Sequence, residues 1–219
     1  MTRTTGLKNP FSAWSHLSGA LLSALGLALL VTCAALYASA WHVVSFSVYG
    51  TSMVALYTAS GLYHGLRLSE RGTRLMRRLD HIMIYLLIAG TYTPVCLVPL
   101  RGPWGFSLLT AVWCLALAGV IFKLCWLEAP RWLSTSLYLG MGWLAVVAVY
   151  PLVKSLPWGG LAWLALGGLC YSLGAVVYAL KRPDPWPERF GFHEIWHLMV
   201  LAGSFCHFWL MFAYVLYLG

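Results

Sequence analysis

At 219 residues, 61% hydrophobic and 9% charged, the chain is far too apolar for a soluble globular domain, where about a quarter of residues are charged. Its formal net charge of +8 raises nucleic acid as a partner, but the basic residues gather at the ends of apolar stretches, which argues against a nucleic-acid surface. Six scattered cysteines without a CxxC pair imply neither a disulfide framework nor thiolate metal ligation.

About 20 apolar residues cross a bilayer, and seven such stretches follow one another: 12–36, 42–64, 80–100, 104–125, 132–153, 158–180 and 193–217. The expected fold is therefore an all-α seven-transmembrane helix bundle, with residues 1–219 forming a single integral membrane domain. Trp41, Trp104, Trp126, Trp132, Trp158 and Trp186 fall at the predicted span ends, where indole rings favour the headgroup layer.

The first span follows Arg3 and Lys8 and closes on Ala38-Ser39-Ala40, a pattern shared with cleavable signal peptides. Its apolar run is about twice a signal core and is interrupted early by His16, so we read a retained helix. Asn9, Ser12, His16 and Gly19 lie near its inner end. The second span starts at His42, expected to be solvated, and ends with Ser60 and His64 on one face. Residues 65–79 form a basic, leucine-containing loop suited to the anionic inner leaflet. The third span opens on Asp80-His81 and contains Pro94, which predicts a kink. His81 reads equally as a partner to neighbouring polar groups or as an interfacial residue.

In the sixth span, Gly160, Gly167 and Gly174 recur every seven residues, a small-residue stripe for helix packing. Pro183, Pro185 and Pro187 then predict a stiff, extended approach to the seventh span. That last span presents His193, His197, Ser204 and His207 along one face.

Twelve of the fourteen Lys and Arg residues fall at the N-terminus and after spans two, four and six, against Arg101 and Lys154 on the other side. The positive-inside rule then predicts a cytoplasmic N-terminus and an outward C-terminus. In that topology His64, Asp80, His193 and His197 share the cytoplasmic end of the bundle.

Ionisable groups cost several kcal/mol in hydrocarbon, so a group of them at one depth points to function. Histidines four residues apart on a helix can present two ligands to one metal. With His64 they make an open three-imidazole zinc site, which leaves a position for water. Asp80 is then the candidate general base and Ser60 its orienting hydroxyl, or that of a ligand imidazole. Two readings stay open beside it: a metal-free polar network, and a closed structural zinc site with Asp80 as fourth ligand. His207 lies roughly 15 Å deeper than His197 and cannot share that metal.

Residues 9–16 (NPFSAWSH), 60–64 (SGLYH), 80–94 (DHIMIYLLIAGTYTP) and 193–207 (HEIWHLMVLAGSFCH) resemble the hemolysin III proteins, the bacterial branch of the progestin and adipoQ receptor family. The resemblance covers essentially the whole chain. It implies a seven-helix protein of the bacterial inner membrane with Zn2+ near its cytoplasmic face, held by His64, His193 and His197. Asp80 and Ser60 match the family's motif aspartate and serine. The long cytosolic extension of the animal receptors is missing, which puts adaptor signalling in doubt.

The animal relatives resemble ceramide amidases, so the expected function is an intramembrane zinc hydrolase cleaving a lipid amide or ester, with membrane lipid as the partner. A zinc-stabilised membrane-state sensor without turnover is the alternative, and a hemolysin-type pore is the third reading. Against the pore, ionisable residues are rich at only one end of the bundle.

Overall fold

The structure, a computed structural model, describes residues 6–186 and 190–218, and Arg3, Pro187 and Arg189 lie outside them. It is helical throughout: α1 (Pro10–Tyr37), α2 (Ala40–Gly65), α3 (Glu70–Leu97), α4 (Pro103–Cys125), α5 (Arg131–Gly142), a 3₁₀ stretch (Trp143–Ala148), α6 (Val149–Ser155), α7 (Trp158–Leu180) and α8 (Phe192–Ala213). Residues 131–155 form one composite crossing, so the elements follow the seven predicted stretches. Six of the seven are long and apolar enough to cross a membrane. The seventh, α2, is as long at 26 residues but carries Ser, Tyr, Gly and His along its length, and half of it is buried.

Neighbours in sequence pack on one another: α1 on α2, α2 on α3, α3 on α4, and α7 on α8. α5 packs against α3 and α7, and α8 closes back on α1. Leu21, Leu22 and Leu25 of α1 and Leu166, Leu169 and Leu173 of α7 point outward and exposed, an apolar exterior suited to lipid.

The third helix begins ten residues earlier than predicted. Residues 70–79, expected as loop, belong to α3 because Ser69 caps it by accepting from the Gly72 N–H (3.3 Å) and Glu70 sits in its first turn. Pro94 lies inside the last turn of α3, with the Thr91 and Thr93 hydroxyls donating to the Leu87 and Ala89 carbonyls (2.8 Å each). α7 ends on Lys181 in the left-handed conformation (φ 56°). On the approach to α8, Trp186 and Phe190 exchange backbone hydrogen bonds of 3.0 and 2.9 Å, while Pro187 of the expected extended stretch lies outside the described residues.

The break between α5 and α6 has a tertiary cause. The Tyr92 hydroxyl of α3 donates to the Gly142 carbonyl (2.6 Å) and accepts from the Ala145 N–H (2.8 Å), entering the helical hydrogen-bond ladder. The glycine stripe of α7 does face α8. A Cβ at Gly167 would run into the His207 ring, and one at Gly174 would meet the Met199 side chain at 2.7 Å. Without side chains there, the two helices approach closely.

Candidate metal centre

Backbone pairing places the start of α1 against the end of α2: the Asn9 N–H donates to the His64 carbonyl (2.9 Å) and the Lys8 N–H to the Gly65 carbonyl (3.2 Å). α8 begins at the same end. His193 and His197, one turn apart on α8, thereby meet His64 of α2, 129 residues distant from His193 in sequence. One ring nitrogen from each of the three imidazoles lies within 4.8 Å of the others. The ring centroids are 4.9 Å apart for His64 and His193, 4.9 Å for His64 and His197, and 4.7 Å for His193 and His197. His64 and His197 are buried, while His193 is partly exposed and faces the Tyr178 ring.

The donor set fits a zinc ion. Two nitrogens bound to one tetrahedral zinc at about 2.0–2.1 Å lie about 3.3–3.4 Å apart, and the Nε2 atoms of His64 and His193 are 3.2 Å apart. A direct hydrogen bond between those two neutral rings accounts for the same distance. It does not account for His197, whose Nδ1 is buried without a hydrogen-bond partner among the described residues. Three imidazoles are a borderline-soft set suited to zinc rather than to magnesium or calcium.

The Ser60 hydroxyl stands beside the Asp80 carboxylate between α2 and α3. Asp80 is partly buried and stands outside the three-imidazole group. It is therefore not placed as a fourth ligand. Tyr63, Tyr138 and Tyr178 lie within electrostatic reach of the same carboxylate.

Two further residues belong to the neighbourhood. His16 of α1 stacks on His197, with centroids 3.6 Å apart and planes at 12°, and both its ring nitrogens are buried without partners among the described residues. Glu194 completes the pattern His-Glu-Ile-Trp-His, in which zincin helices use the glutamate as general base. That glutamate is not among the residues to which the sequence pattern assigned a role, although the His-Glu-x-x-His spacing marks it. Both its carboxylate oxygens are committed: Oε1 accepts from the Ser12 hydroxyl (2.9 Å), and Oε2 from the Gly191 N–H (3.0 Å) at the start of α8. Glu194 thus ties α8 to α1 and caps the helix that carries two of the histidines.

The other histidines stand apart. His207 lies apart from the group, its Nε2–H donating to the Leu164 carbonyl (3.3 Å). His81 presents its carbonyl to the Tyr138 hydroxyl (3.3 Å), while its Nδ1 is buried. His42 is not solvated, as expected from its position, but 3% exposed, with its ring held by the Ser39 hydroxyl (2.9 Å) and the Val215 carbonyl (3.1 Å). The C-terminal turn folds over the span end and covers it.

The family model described as Haemolysin-III related matches residues 5–208. The chain is 44% identical to the hemolysin-3 homolog of Bacillus subtilis (strain 168), over 93% of this chain and 92% of that one. It is 42% identical to hemolysin-3 of Bacillus cereus, over 94% and 90%. A more distant relative is the adiponectin receptor protein of Drosophila melanogaster, 27% identical over 89% of this chain and 48% of that one.

Proposed function

We propose that this chain, which belongs to the haemolysin-III-related family and is a multi-pass integral membrane protein, is an intramembrane zinc-dependent hydrolase of a lipid amide or ester. The observation that carries the reading is the convergence of His64, His193 and His197, from two helices far apart in sequence, on one point at the end of an apolar bundle. The basic residues gather at that same end: Arg67 donates to the Gly6 carbonyl, and Arg131 lies over the Tyr178 ring. By the positive-inside rule that end is cytoplasmic.

In this mechanism His64, His193 and His197 would hold the zinc, and a zinc bound there would supply Lewis-acid polarisation of a scissile carbonyl and lower the pKa of a water toward about 7. Asp80 accepts the proton of the attacking water and returns it to the departing amine nitrogen or alcohol oxygen as the C–N or C–O bond breaks. Ser60 donates to the Asp80 carboxylate and fixes its orientation. Lipid is the substrate class because the site lies at membrane depth and the bundle presents an apolar exterior to the acyl chains.

The position of Asp80 outside the imidazole group favours one competing reading, a membrane-state sensor in which the metal is architectural. Asp80→Asn separates the two. Turnover of a lipid library, read by mass spectrometry on protein in detergent, falls by about 10²–10⁴-fold with zinc content and melting temperature retained if Asp80 carries the proton. Unchanged turnover removes Asp80 as the proton carrier, and no product from the wild type removes the hydrolase and leaves the sensor.

A further inference from the structure

The residue at the start of α1 does not do what its position calls for. Asparagine at a helix N-cap ordinarily accepts from the backbone N–H groups of the first turn. Asn9 occupies the N-cap of α1, ahead of Pro10, and makes no side-chain capping bond. Its amide instead faces His64, with its nitrogen 3.1 Å from His64 Nδ1. Its own N–H is bonded to the His64 carbonyl at 2.9 Å, so main chain and side chain both hold the same histidine.

An imidazole ligates through one nitrogen only if the other carries the proton, and the partner of that second nitrogen decides which tautomer exists. As it stands, the Asn9 amide nitrogen donates to His64 Nδ1, which puts the ring proton on Nε2. That proton is directed at His193 Nε2, 3.2 Å away. In this tautomer His64 Nε2 has no lone pair to offer a metal. A 180° rotation of the amide presents Oδ1 in place of Nδ2. The oxygen then accepts from His64 Nδ1–H, and Nε2 is left bare toward His193 and His197.

We propose that Asn9 is a positioning residue that selects the His64 tautomer, its amide turning over as the metal enters. The proposal rests on the zinc reading of the three histidines and concerns a residue outside them. Because the Asn9 side chain caps nothing, helix α1 loses no cap when it is replaced. Because Asn9 is exposed, a carboxylate is tolerated there.

Zinc affinity of the full chain in detergent, measured by competition with a chromogenic chelator, tests this on wild type, Asn9→Leu and Asn9→Asp. Leucine matches the amide in size and offers no acceptor, and affinity falls by about 10–100-fold. Aspartate can only accept, favours the Nδ1–H tautomer, and restores affinity to within a few-fold of wild type or above it. Cobalt substituted for zinc reports the same order through its visible d–d bands. The proposal is overturned if Asn9→Leu binds zinc like the wild type, or if Asn9→Asp falls as far as Asn9→Leu while both melt at the wild-type temperature. A wild type that binds no zinc overturns the metal reading together with it.

Discussion

Replacing Glu194 by Gln tests whether the glutamate of the HEIWH segment is structural or catalytic. The amide keeps an oxygen for the Ser12 hydroxyl but turns an NH₂ toward the Gly191 N–H, so one of the two bonds (2.9 and 3.0 Å) is lost and the other is no longer charge-assisted. Hydrogen bonds to charged groups are worth about 1.5–3 kcal/mol and neutral ones about 0.5–1.5 kcal/mol. A carboxylate in the first helical turn adds about 0.3–1 kcal/mol. Partial exposure of the site reduces the total to about 1–3 kcal/mol, a fall of about 3–10 °C in melting temperature for a chain of this size. Ser12→Ala combined with Glu194→Gln costs less than the sum of the two, because they share one bond. Melting in detergent, read by tryptophan fluorescence, is measured beside zinc content and lipid turnover. The expected outcome is a lower melting temperature with turnover within a few-fold of wild type. A loss of about 10²–10⁴ in turnover with melting unchanged would refute the reasoning and make Glu194 the proton carrier.

Two other substitutions test the packing that positions the site. Gly167→Leu drives a side chain into the His207 ring and separates α7 from α8, costing about 1–3 kcal/mol, while at Gly168 an added Cβ meets nothing within 4 Å and Gly168→Leu leaves melting unchanged. Equal melting of the two variants would contradict the close approach. Tyr92→Phe strands the Gly142 carbonyl and the Ala145 N–H, costs about 1–3 kcal/mol, and speeds amide exchange across residues 143–148. Unchanged exchange there would mean the tyrosine does not shape the break.

The spans were legible because crossing a bilayer needs long apolar runs, and Pro10, Pro103 and Gly191 mark helix starts by their own chemistry. The meeting of His64 with His193 and His197 followed from depth alone, since each sits at a span end on the basic side. Three features were hidden for different reasons. The amino-terminal third of α3 has too many arginines to register as a span, although Ser69 and Glu70 announce a helix start. The break after Gly142 depends on a hydroxyl from another helix, and the burial of His42 depends on Val215, which no local pattern reveals. Glu194 was legible in the motif, but its two partners, and hence its role, required the fold.

The central claim is that His64, His193 and His197 hold one zinc ion, and metal content tests it most directly. Protein purified in detergent without chelators is analysed by elemental mass spectrometry, wild type beside His197→Ala, with helical circular dichroism confirming that both are folded. We expect about one zinc per chain in the wild type, in keeping with a single three-imidazole site, and its loss in the folded variant. A folded wild type without metal, or a variant that retains full zinc, would contradict the account and return these histidines to a hydrogen-bonded polar network.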